Sequence, residues 1–343
     1  MKPDPKVEIR LGQLVALRKG ELPDAVDKAR EIYKRGHMPS MVRIRRSFIR
    51  LEEFGGLVED ERKPLPKEAR PLSGQMISPK GLTLKLYLLM LFAAQCEVTA
   101  GKEWADPYPI EPSSQKTDSW RGLVATIAKY DGPGVQAASV RTNKVRQIAE
   151  AMKTLEKMGL LASATGVAGQ VRKGVLLLCD NGKSKNAGAA NIPYTVPQDA
   201  EEFVDIPIEF FTSGWVHVLT TSEIAALLMW FDVMKFDPRT LRLDDGRLLS
   251  YGYVLSNTRH GWYGLGRDAY ETHQPLEAFG LLSVVRHEKR YVDGKWKDFE
   301  ENSEDMVCHR ILLHAEGFKK DAGEVVHPVL HRRHTIGQWH GLS

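Results

Sequence analysis

Cysteine is scarce in this chain: three residues in 343, Cys96, Cys179 and Cys308, odd in number and far apart. That excludes a disulfide framework and fits a reducing, cytoplasmic compartment. Long apolar runs are missing too. The longest, residues 82–94, is interrupted by Lys85 and is too short to span a bilayer, so no membrane partner is expected. No apolar stretch follows the opening Met-Lys-Pro-Asp-Pro-Lys, which argues against a secretory signal.

Catalytic signatures are equally thin. Gly182-Lys183-Ser184 hints at a phosphate loop, but the leading glycine of that motif falls on Leu177. No Gly-x-Gly-x-x-Gly, Gly-x-Ser-x-Gly or zinc-deaminase pattern occurs. His327, His331 and His334 have helical spacing, yet Pro328 sits among them and no cysteine pair lies nearby at zinc-finger spacing. A non-enzymatic protein with no cofactor and no metal is therefore expected. Trp215, Trp230, Trp262 and Tyr263 read as core or interface aromatics, not as base-stacking platforms.

What the chain does have is an uneven charge distribution on ample length. At 343 residues it predicts two or three domains. Residues 1–191 carry 32 Lys and Arg against 21 Asp and Glu, whereas residues 192–343 carry 16 against 23, for a net charge of +4. Such a split can turn one basic face to a polyanion, although chance clustering gives the same totals.

It also has an internal repeat. Leu51-Glu-Glu-Phe-Gly-Gly-Leu-Val58, Leu155-Glu-Lys-Met-Gly-Leu-Leu161 and Leu276-Glu-Ala-Phe-Gly-Leu-Leu282 each read as a helix end followed by a strand. Glycine just past the last turn is what a left-handed C-cap requires, and the leucine after it packs back on the helix. The wide, unequal spacing of the copies excludes a solenoid. The second and third copies have matching upstream helices, over residues 82–92 and 219–231, the latter opened by a Thr220/Glu223 capping box. A loop is predicted at residues 101–119 and a flexible linker at 181–204.

Helix, helix, long helix and two-stranded hairpin is an order that resembles the winged helix-turn-helix superfamily of DNA-binding proteins. The resemblance covers residues 81–180 and 205–315, with 20–60 matching as a helix-turn-helix only. Two such units in tandem are also similar, on architecture alone, to plasmid replication initiators. The implied fold is α+β and mainly helical. It comprises a basic helix-turn-helix-like segment (1–75), a first winged helix (80–180), the linker (181–204), a second winged helix (205–318) and a C-terminal helix and tail (319–343). The implied function is sequence-specific binding of double-stranded DNA, in transcriptional regulation or replication initiation. A homodimer, nucleoid association and contacts with replication or transcription machinery go with it. The competing readings are a protein-binding scaffold, a DNA-processing enzyme with an unrecognised site, and a ligand-sensing regulator.

The recognition helix is predicted over residues 138–158. Val145, Ile148, Met152 and Leu155 share its core stripe, and Asn143, Arg146 and Gln147 fall on the opposite face, where base edges are read. Arg141, Lys144 and Lys153 flank them and suit phosphates, as do Arg172 and Lys173 in the predicted wing tip. A solvated helical face is the plain alternative. A second helix is predicted over 40–53, with Met41, Ile44, Phe48 and Leu51 inward. Arg43, Arg46 and Arg50 then either track a phosphate backbone or pair with the acidic last module. In that module the helix 267–279 is acidic and interrupted by Pro275. Arg267, Gln274, Lys289 and Arg290 are its candidate DNA contacts, and dimerisation is the competing role.

Overall fold

The computed structural model describes residues 4–55, 64–78, 81–104, 107–112, 118–126, 137–165, 171–185, 191–242, 246–285 and 309–339. The chain is α+β and mainly helical, as its sequence implies. It opens with α1 (Pro5–Lys19) and α2 (Glu21–Arg35), followed by β1 (Met41–Arg45) and the single-turn α3 (Arg46–Ile49) and α4 (Leu72–Gln75). The helix expected over 40–53 is thus a strand and one turn. Val42 and Ile44 are both buried at a spacing of two, and β1 pairs antiparallel with β4 (Phe203–Pro207), whose Asp205 faces Arg43 from 162 residues on. A strand partner that distant outweighs a short helical period.

Two stretches of helices then each end in a two-stranded hairpin, the second with an additional hairpin after its first helix. The first runs α5 (Leu82–Glu97), α6 (Trp120–Leu123), α7 (Ala137–Lys157) and the hairpin β2 (Leu161–Thr165) with β3 (Val171–Leu177). After β4 and the short α8 (Glu209–Thr212) and α9 (Trp215–Val218) comes the second: α10 (Thr221–Phe236), the hairpin β5 (Arg239–Arg242) with β6 (Leu248–Tyr251), and α11 (Ser256–Tyr263). It ends with α12 (Arg267–Tyr270), α13 (His273–Ala278) and the hairpin β7 (Leu282–Val285) with β8 (Arg310–Leu313). The last helix is α14 (Ala322–Ile336), packed along α1.

The repeated ending folds alike in its second and third copies. Gly159 and Gly280 sit at φ +71° and +75°. Leu160 N–H donates to the Leu155 carbonyl and Leu281 N–H to the Leu276 carbonyl, both at 3.0 Å. All four leucines are buried, which completes the left-handed cap and launches β2 and β7. The first copy differs: Leu51 N–H and Gly55 N–H donate to Trp262 and Gly261 carbonyls, so the segment is anchored to α11.

α5 and α10 have no polar face over most of their length because neighbouring elements cover them on most sides. The capping box at Thr220 and Glu223 is present, and Glu223 also takes two hydrogen bonds from the Arg10 guanidinium, each 2.7 Å. Residues 191–196, expected in a flexible linker, run between β3 and residues 101–103 through the bridges Leu178↔Pro193 and Glu103↔Thr195. Tyr194 and Val196 are buried there, so composition misjudged a segment whose backbone partners lie far away in sequence.

One buried histidine sets a pH dependence. His217 is almost fully enclosed, its Nδ1 accepts the Ala125 N–H at 3.4 Å, and its Nε2 has no partner. Burial, with Lys85 and Lys144 nearby, pushes its pKa down to about 3. The depressed value makes the unfolded chain bind the extra proton. Its stabilising share is complete above about pH 6.5 and lost as pH falls towards 3. The slope approaches about 1.4 kcal/mol per pH unit in that window. Urea melts from pH 7 to 4 check this, since His217→Asn should flatten the profile relative to the parent. Parallel profiles would disprove it.

Candidate nucleic-acid interface

α7 is the longest described helix, and four buried side chains fix its rotation: Ile148, Ala151, Met152 and Leu155. Ala151 moves this stripe towards residue 144 and away from 145. Val145, expected inside, is half-buried, and Lys144, expected on the phosphate-facing flank, is buried. Its ammonium meets Glu21, at the start of α2, at 2.9 Å. Burial lowers the Lys144 pKa, and the Glu21 carboxylate opposes that shift. Lys144 is therefore removed from the expected contact set, because it is consumed in packing α7 against α2.

The exposed stripe is Thr142, Arg146, Glu150, Lys153 and Lys157, with Arg141 beside its first turn. Arg146 is 67% exposed, and its nearest carboxylate, Glu150, is 4.0 Å away. Asn143 is half-buried at the edge of this face. Gln147, expected to read bases, is also half-buried, and its Oε1 accepts from Thr126 Oγ1 at 3.2 Å. Arg141 donates to Glu111 at 2.7 Å. Arg172 and Lys173 belong to β3, not to the hairpin tip, and their side chains lie outside the described ones.

The arginines of the N-terminal segment have intramolecular partners. Arg43 pairs with Asp199 at 2.8 Å and lies over the Phe203 ring. Arg45 is buried against Asp180, which accepts from its Nη1 at 2.7 Å and its backbone N–H at 3.0 Å, and against Glu201 at 2.7 Å. Arg46 donates to Asp232 at 2.8 Å, and the second oxygen of Asp232 accepts from Tyr263 OH at 2.7 Å. Arg50 stacks on Trp262, 4.0 Å from the ring centre. Arg45 thus ties β1 to the end of the first hairpin, while Arg46 ties α3 to α10. Both Arg43, from β1, and Arg46, from the first position of α3, are thus paired with acids on neighbouring elements.

Arg45, Arg46 and Arg50 also line a groove of about 660 Å³ with Lys183, faced by Glu52, Glu103, Glu201 and Glu202. Four cations against four carboxylates leave no field for an anion. The unequal halves of the chain are thus partly spent on each other: Arg10–Glu223, Arg18–Glu324, Arg43–Asp199 and Arg46–Asp232 all cross between them.

In the second stretch the helix predicted over residues 267–279 is broken. α12 ends at Tyr270 and α13 starts at His273, so the helix restarts two residues before Pro275, as proline requires. Arg267 is bound by Glu271 at 2.6 Å, and Gln274 is exposed beside it. Lys289 and Arg290 lie outside the described residues. Among the described residues no group of three or more His, Cys, Asp or Glu could hold a metal, and no helix is long and apolar enough to cross a membrane.

No protein-family model, curated protein or solved structure matches the chain. The assignment of this face therefore rests on its own chemistry. The structure places the predicted Arg141, Arg146 and Lys153 on the exposed side of α7 with Asn143 at its edge, and brings to them Glu21, Glu111 and Arg121, which sequence reasoning did not anticipate. These three lie on other elements, where no local pattern marks them.

Proposed function

We propose that this chain is a non-enzymatic duplex DNA-binding protein whose two helix-hairpin units are winged helices, with α7 as the reading helix. The observation that carries this reading is one face in the first half of α7: Arg146 projects into solvent with the half-buried Asn143 at its edge, and α7 is held by a buried stripe and a left-handed cap. Arginine can bridge guanine N7 and O6, and asparagine adenine N6 and N7, and both act best from the start of such a helix. Arg141, Lys153 and the β3 residues Arg172 and Lys173 supply phosphate contacts. The activity is that of a transcriptional regulator or a plasmid-type replication initiator.

The second unit has a different role. Its two short helices and the turn between them present Arg267, Asp268, Glu271 and Gln274, a face with two acids to one base and too short to fill a groove. That favours assembly, in a homodimer, over base reading. Selecting bound duplexes from a random pool tests both parts. One enriched motif is expected, as an inverted repeat if the chain dimerises on DNA. Affinity should fall by about 0.9 log units per contacted phosphate for each tenfold rise in salt. Failure to shift any duplex at low salt would leave the protein-binding scaffold as the better reading.

A further inference from the structure

The start of the exposed face of α7 holds an acid among cations. Glu111, in the loop after α5, places its Oε1 2.7 Å from Arg141 Nε and 3.8 Å from Arg121 Nε. Arg141 is more than half exposed, and Glu111 and Arg121 are each about a third exposed (57%, 39% and 31%), so the cluster lies at the surface. The Arg121 Nε is nevertheless enclosed and has no hydrogen-bond acceptor. A donor is thus left unmet beside a carboxylate that already serves its neighbour.

We infer that Arg121 and Arg141 form a subsite for one DNA backbone phosphate, and that in the free protein the Glu111 carboxylate stands in for that phosphate. This rests on the DNA-binding reading above and extends it to the regulation of the same face. A phosphodiester presents two free, charged oxygens and can accept from both guanidinium groups, satisfying Arg121 Nε as well as Arg141. The Glu111–Arg141 pair is exposed, so breaking it costs little, and docking DNA exchanges one anion for another. The exchange holds affinity below what the two arginines alone would give, and it removes a counterion release from the salt dependence. Glu111 is therefore a positioning and competing group.

The test uses the full chain and a fluorescent 30-base-pair duplex of random sequence, titrated by anisotropy between about 50 and 300 mM salt. Glu111→Gln should bind about 3-fold to 10-fold tighter at 100 mM salt and steepen the log–log salt slope by up to about 0.9. In an Arg121→Gln, Arg141→Gln background the same change should have no effect. If Glu111→Gln leaves affinity and slope unchanged while the parent binds, the subsite is wrong and the DNA reading stands. An equal gain in the double-arginine background would mean general charge repulsion, which also overturns the subsite. If neither parent nor Glu111→Gln binds duplex at 50 mM salt, the DNA reading fails and takes the subsite with it.

Discussion

Replacing Asn143 and Arg146 together by alanine should lower affinity for the selected duplex by about 30-fold to 10⁴-fold while leaving binding to random duplex within a few fold. Each well-made bidentate base contact contributes about 1–3 kcal/mol of discrimination, and two of them set that range. Neither substitution touches the buried stripe of Ile148, Ala151, Met152 and Leu155, so the helix should stay folded. Gln147→Ala should cost much less, because that side chain is already half-buried and held by Thr126. Competition titrations with selected and random duplexes separate the two terms. A double variant that lost both affinities in proportion would mean that α7 contacts backbone only.

The second large effect is on stability. Asp180→Ala should destabilise the chain by about 3–5 kcal/mol, the usual consequence of stripping one partner from a buried ion pair. Asp180 is fully buried and holds both the guanidinium and the backbone N–H of Arg45, whose guanidinium afterwards keeps Glu201, Thr195 and the Tyr194 ring. Burial pushes the Asp180 pKa up, and the Arg45 charge opposes that shift, so the pair lives on mutual compensation. An Arg45→Met, Asp180→Leu chain should recover part of the loss, since apolar side chains of similar volume carry no desolvation cost but the Arg45 backbone N–H still lacks its acceptor. Urea midpoints of the three chains decide the matter. A single variant within about 1 kcal/mol of the parent would show that Glu201 alone suffices.

The contrast between Arg45 and Arg146 shows why local pattern finds one and not the other. Arg146 is displayed by a helix whose period is written in its own sequence, so its exposure follows from counting residues. Arg45 is defined by Asp180 and Glu201, more than a hundred residues away, and by a strand that exists only because β4 lies beside it. Glu111 was hidden in a similar way, since it sits in a loop outside α7, 30 residues from its partner Arg141.

By itself the sequence determined the α+β, mainly helical class, the caps at Gly159 and Gly280, the capping box at Thr220, the two apolar helices and the break near Pro275. These are short-range consequences of glycine's access to positive φ, of proline's missing donor and of hydrophobic period. Only the tertiary structure decided that residues 41–45 form a strand, that residues 191–196 pack between β3 and residues 101–103, that Lys144 faces inward, and that the N-terminal arginines spend their charge inside the chain. Each of those depends on which partner a backbone or a charge meets across long sequence separation, and electrostatic and ladder energies are set by that meeting, not by composition.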